Sequence, residues 1–133
     1  MRGILIGGAL AVAAALTPAA LTGGGQVAAA PGQSCFFVRD WEGWKAANDH
    51  TIYLNVSGNR IFRLDMAGDC PELSYPGARL ISRDIAGNGS VCSPLDLDLK
   101  VSLDHGIASA CIVQHMAELT PDEAAALPRN LRP

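Results

Sequence analysis

Between Thr51 and Met66 the chain alternates apolar and polar residues twice over. Ile52, Leu54 and Val56 fall on one face of an extended segment, and Phe62, Leu64 and Met66 repeat the pattern after Ser57-Gly58-Asn59. Period-two alternation marks a strand with one buried face, and Ser-Gly-Asn is turn chemistry, so this stretch predicts a β-hairpin. Gly68 ends it, and Pro71 and Pro76 make the next segment irregular. A longer alternation places Leu95, Leu97, Leu99, Val101 and Leu103 opposite Asp96, Asp98, Lys100, Ser102 and Asp104. It predicts a long strand with one wet face. Shorter extended segments are predicted at 35–38, at 79–85 and, after the Asn88-Gly89 turn, at 90–92. A last strand is predicted over 108–119, following a turn at His105-Gly106.

Two stretches have a different rhythm. In Asp40-Trp41-Glu42-Gly43-Trp44-Lys45 the tryptophans are three apart. That spacing predicts a single helical turn capped by Asp40, with both indoles on one face. Plugging the end of a core is the favoured role for the pair, ahead of stacking on a sugar or other ligand. Near the end, Thr120-Pro121-Asp122-Glu123 combines an N-cap, a proline at the first helical position and a glutamate three after the cap. A short helix is predicted there, stopped by Pro128. The expected fold is mainly β: a small antiparallel β-barrel or sandwich, stapled by two disulfides, with a short C-terminal helix. A barrel is preferred, similar in outline to an oligonucleotide/oligosaccharide-binding fold.

The first residues change the picture of where the chain works. Arg2, the uncharged apolar run 4–16, and the small residues Val27-Ala28-Ala29 read as a secretory signal peptide over 1–29. The expected organisation is then a flexible start at 30–34, one domain over 35–127 and a C-terminal tail at 128–133. About 104 residues remain after such a cleavage, the size of one modest domain. The expected location is periplasmic or secreted, with no stable membrane insertion once the signal is removed. The formal net charge of −3 is interspersed and forms no basic stripe, so nucleic acid is excluded as a partner.

All four cysteines, Cys35, Cys70, Cys92 and Cys111, lie beyond the leader. An even number in a small exported domain predicts two disulfides. Gly32-Gln33-Ser34 before Cys35 is a poor lipidation signal. Of the three possible pairings, Cys70–Cys92 with Cys35–Cys111 is weakly preferred, as a clamp across the proline-rich stretch and a closure onto the last strand. Cys35–Cys70 with Cys92–Cys111 is nearly as plausible, but strains if residues 92 and 111 flank the long strand.

The order Cys35-Phe36, Trp44, Thr51-Ile52-Tyr53, Phe62-Arg63-Leu64, Cys70-Pro71-Glu72-Leu73, Val91-Cys92, Cys111-Ile112-Val113 and Leu119-Thr120-Pro121 resembles a family of small exported proteobacterial proteins of unknown function. The resemblance implies export and paired cysteines. It implies no activity and no catalytic residue.

Candidate chemistry is sparse. Asp96-x-Asp98 lacks the oxygen ligand and glycine that a helix–loop–helix calcium loop needs next, because Lys100 and Val101 stand there. His50, His105 and His115 have no partner three or four residues away, so no local metal pair forms. There is no nucleophile elbow around a serine. The expectation is therefore no enzyme, no cofactor and no metal. The expected role is an exported domain that binds a macromolecule, an unidentified protein or envelope component, or supports the envelope. One version is a hydrolase inhibitor that presents the loop Pro71 to Gly77. The alternatives are a hydrolase or metal enzyme assembled from distant residues, and a small-ligand carrier with a sizeable internal pocket.

Overall fold

The computed structural model describes residues 34–103 and 106–133. The expected signal peptide, most of the flexible start, and His105 lie outside these residues. The described chain forms nine strands in three antiparallel sheets and one short helix.

The predicted hairpin is present as β3 (Thr51–Val56) and β4 (Arg60–Met66), which follow the two-residue β1 (Phe36–Phe37) and the longer β2 (Trp41–Asn48). Its register runs from Thr51↔Asp65 to Val56↔Arg60. Gly58 and Asn59 turn the chain at φ 83° and 61°. Glycine adopts that left-handed region without penalty, and asparagine is the side chain that tolerates it best after glycine. Ile52, Leu54, Val56, Phe62 and Leu64 are all sealed from solvent, as the alternation requires.

The segment expected as a helical turn is instead the strand β2, preceded by a 3₁₀ turn at Val38–Asp40. Trp41 lies opposite Val56, but Gly43, not Glu42, lies opposite Asn55. Glu42 is thus the extra residue of a β-bulge. In a regular strand, residues three apart point to opposite faces; one inserted residue returns Trp44 to the face of Trp41. Both indoles pack on the core, so the shared face is real although its cause is a bulge.

β3 and β4 form the middle of a four-stranded sheet ordered β2-β3-β4-β9, where β9 is Val113–Glu118. A second sheet joins β5 (Ala78–Asp84), β7 (Leu97–Leu103) and β8 (Ser109–Ala110), with β7 in the centre. A third, two-stranded ribbon pairs β1 with β6 (Ser90–Val91) and adds Phe36 and Val91 to the core. The Phe36 and Phe62 rings meet at 4.8 Å between centroids. Leu97, Leu99 and Val101 of β7 share one core with Ile52, Leu54, Val56 and Leu64.

The long strand expected from Leu95 begins at Leu97. Ser93-Pro94-Leu95-Asp96 forms a capped 3₁₀ turn, in which the Asp96 carboxylate accepts the backbone N–H groups of Cys92 and Ser93 at 3.0 and 2.8 Å. Asp96 is therefore a capping residue and not the solvent-facing strand residue that alternation implied. The strand expected over 108–119 breaks in two at Cys111-Ile112. The Cys111 N–H donates to the Leu99 carbonyl of β7, and the next carbonyl, that of Ile112, accepts from Ala67 beyond β4. One extended segment thus leaves one sheet and enters the other, a corner of the kind that joins packed sheets. The strands do not close into a barrel: β2 and β5 remain outer edges.

The predicted C-terminal helix is α1 (Pro121–Ala126), with the full Thr120–Glu123 capping box. The residues after it, expected as a tail, form a 3₁₀ turn at Arg129–Leu131 that lies beside β2. Arg132 ties it back, donating to the Leu127 and Ala125 carbonyls at 2.9 and 2.7 Å.

The disulfides are Cys35–Cys92 and Cys70–Cys111, the remaining pairing of the three. This corrects both expected connectivities. Phe36 stands opposite Val91 in the antiparallel ribbon, so the residues flanking that pair, Cys35 and Cys92, fall side by side with Cα atoms 4.1 Å apart. Met66 stands opposite Val113, and Cys70 and Cys111 lie just beyond that end of the ladder, 5.9 Å apart. Strand pairing set by the core decides the connectivity, and linear spacing carries no trace of it.

Candidate functional site

The outer edges β2 and β5 face a common seam. Val38, Trp41 to Trp44, Leu80 and Ser82 line a cavity of about 290 Å³. Trp44 to Ala47, Leu73 to Tyr75, Gly77 and Ala78 line a second of about 380 Å³. Trp44 belongs to both. The two residue groups that the sequence singled out separately, the tryptophan pair and the Pro71–Gly77 loop, therefore meet along one groove.

Each wall is positioned by identifiable contacts. The bulge at Glu42 turns both indoles inward, and the Trp41 indole N–H donates to the Gly43 carbonyl at 3.0 Å. Glu42 accepts from the Asn55 amide at 3.2 Å. The loop starts at the buried Cys70, whose N–H donates to the Asp49 carbonyl at 3.0 Å. Leu73 is buried, the Ser74 hydroxyl donates to the Asp49 carboxylate, and Glu72 accepts from Ser109 at 2.8 Å. A loop fixed at so many points offers Tyr75, 58% exposed, on a rigid support.

The titratable groups that the sequence raised are dispersed. His50 pairs with Asp69 at 2.8 Å on the surface, and the His115 ring lies 3.2 Å from the Gln114 amide. Asp98 lies 3.4 Å from Lys100. Among the described residues no three His, Cys, Asp or Glu side chains gather to hold a metal ion. Backbone hydrogen bonds from Cys92 and Ser93 hold the Asp96 carboxyl below its usual range. The Arg60 guanidinium, bonded to both Glu118 oxygens at 2.7 Å, does the same for Glu118, aided by the Ser34 hydroxyl. The Thr120 N–H does so for Glu123. Each of these three carboxylates fastens a turn, a ladder end or a helix cap.

A second surface lies on the far side. Ile85, Leu95 and Ile112, 67, 84 and 72% exposed, border an apolar groove of about 410 Å³ beside the sheet-switching corner. Sequence alternation does not reveal this groove, because it places Leu95 on a buried strand face and Ile112 in a continuous strand.

The chain is thus a small antiparallel β domain with two disulfides and an aromatic groove between unpaired sheet edges. It belongs to the family of unknown function DUF6491, whose model matches residues 1–133. No curated protein and no solved structure matches it.

Proposed function

We propose that this chain is a non-enzymatic exported domain that binds a macromolecule, an envelope component or another protein, through the β2–β5 seam. The convergence of Trp41, Trp44 and Tyr75 on one open groove carries the reading. Aromatic side chains give large contact area at low ordering cost, and they are the residues that most often anchor a partner. The two disulfides fit an oxidising compartment, and no helix among the described residues is long and apolar enough to cross a membrane. The shifted carboxylates serve the scaffold, which favours binding over acid–base chemistry.

The test is capture from an envelope extract by the oxidised chain, with mass spectrometry of what is retained. Trp44→Ala and Tyr75→Ala should lose the captured species, while Leu95→Ala, at an 84% exposed position in the far-side groove, should keep it. Melting curves establish that each variant is folded. Equal capture by all three variants would refute the seam as the binding surface.

A further inference from the structure

Resting on that reading of the seam, we propose a specific partner chemistry: an extended peptide strand, acidic at alternate positions, that pairs with the free edge of β5.

β5 is the outer strand of its sheet, and it is regular. It pairs with β7 over all of Ala78–Asp84 without a register shift. Among the described residues, no backbone group of Arg79 to Asp84 bonds to anything on the seam side. The 3₁₀ turn Val38–Asp40 packs against β5, and Pro71–Ser74 packs against both β2 and β5, so the groove has ends as well as walls. An unpaired, straight edge is a template for another strand. The opposite wall differs: β2 has two register shifts, and its Gly43 carbonyl already accepts from Trp41. The seam has one edge suited to pairing.

Side chains give the polarity. Along β5, Ala78, Leu80, Ser82 and Asp84 turn inward, opposite the half-buried Leu103 and the buried Val101, Leu99 and Leu97. Arg79, Ile81 and Arg83 point outward and are exposed. Neither arginine has an ion pair among the described residues, although the chain carries a net charge of −3. On the neighbouring β7, Lys100 stands opposite Ile81 and Asp98 opposite Arg83; these two pair with each other at 3.4 Å, so the face keeps the net positive charge of its two arginines. Two unpaired arginines flanking an isoleucine at period two match a strand's own period. Directly opposed side chains on neighbouring strands attract when their charges differ and repel when they match. An added strand with acidic, apolar, acidic residues on its outer face complements Arg79, Ile81 and Arg83 in order. An acidic polysaccharide would satisfy the arginines but not the row of backbone donors and acceptors, which is why a peptide is favoured.

The test uses the oxidised chain and a blocked seven-residue peptide that alternates threonine with glutamate, valine and glutamate. Fluorescence of Trp41 and Trp44, the chain's two tryptophans, reports seam occupancy. Amide exchange reports β5. The glutamate peptide should bind about tenfold more tightly than its lysine counterpart at low salt, since two cross-strand pairs change from attractive to repulsive. Seam-facing amides of residues 79–84 should gain protection. R79E/R83E should reverse the preference, and R79Q/R83Q should abolish it without reversing it. Interrupting the peptide with proline should remove binding. Equal binding of the two charged peptides, or binding of neither, overturns the inference. So does Arg79- and Arg83-dependent binding of a polyuronate without peptide binding. A seam that still captures its partner through Trp44 yet ignores both peptides overturns this inference alone and leaves the binding surface standing.

Discussion

Removing the two disulfides one at a time should destabilise the domain unequally, in the order opposite to loop length. Cys35–Cys92 closes a separation of 57 residues and Cys70–Cys111 one of 41. Loop-closure entropy alone assigns them about 4.2 and about 3.9 kcal/mol, so C35A/C92A should be slightly worse. Burial reverses that order. Cys70 and Cys111 are 3% and 4% exposed, whereas Cys35 is exposed and Cys92 half-buried. Truncating each buried sulfur removes roughly a methylene's worth of packing, about 1 kcal/mol with the space left behind. C70A/C111A should therefore cost about 2 kcal/mol more than its own loop term and exceed C35A/C92A by about 1.5 kcal/mol. For a domain with about 5–15 kcal/mol in total, it should stand close to unfolding. Urea titrations of both variants and the parent give the comparison as shifts in midpoint at constant slope. An equal or larger loss in C35A/C92A would show that the Cys70–Cys111 bond contributes no core packing.

Gly58→Ala should lower stability by about 1–2 kcal/mol, since φ is 83° and no neighbour crowds the site, so the cost is backbone alone; thermal melts measure it. Leu64→Ala, at a fully buried site, should cost about 2–5 kcal/mol in the same urea assay. Thr120→Ala should cost about 1 kcal/mol by removing the helix cap, with amide exchange accelerating first in Pro121–Ala126. Glu118 has a lowered pKa when folded, so its contribution is present above the unfolded carboxylate value, about 4.3, and is lost as pH falls through the folded value. The melting temperatures of the parent and E118Q should differ at neutral pH and converge in acid.

The hairpin was legible because local alternation and a local turn agree: Ile52, Leu54 and Val56 need no distant information to choose a face. The bulge was not. Trp41 and Trp44 at a spacing of three look helical, and only the pairing of β2 with β3 shows that Glu42 is the inserted residue. The break at Cys111-Ile112 is invisible for a related reason. Its cause is a change of hydrogen-bonding partner from Leu99 to Ala67, and neither partner is near in sequence. The connectivity of the cysteines follows from those same ladders. The parts of the seam could be picked out one by one as two tryptophans and a proline-bounded loop. Their meeting depends on which edges stay unpaired. The outward Arg79-x-Ile81-x-Arg83 alternation was present in the sequence as a period-two signal, but nothing local marks a strand as an edge.

The interlocked bridges also determine how far the molecule can stretch. Pulled from both ends, an unbridged chain would pay out 76 residues between Cys35 and Cys111, about 260 Å. With both bonds closed, the shortest covalent route crosses from Cys35 to Cys92 and then follows only the 19 residues to Cys111, about 65 Å. That route includes β7 and the sheet-switching corner; β2 to β5 hang beside it as a side loop shielded from tension. An oxidised molecule held between two anchors would thus yield through one sheet while the hairpin and most of the groove bear no load, and reduction would lengthen the extensible span between Cys35 and Cys111 about fourfold.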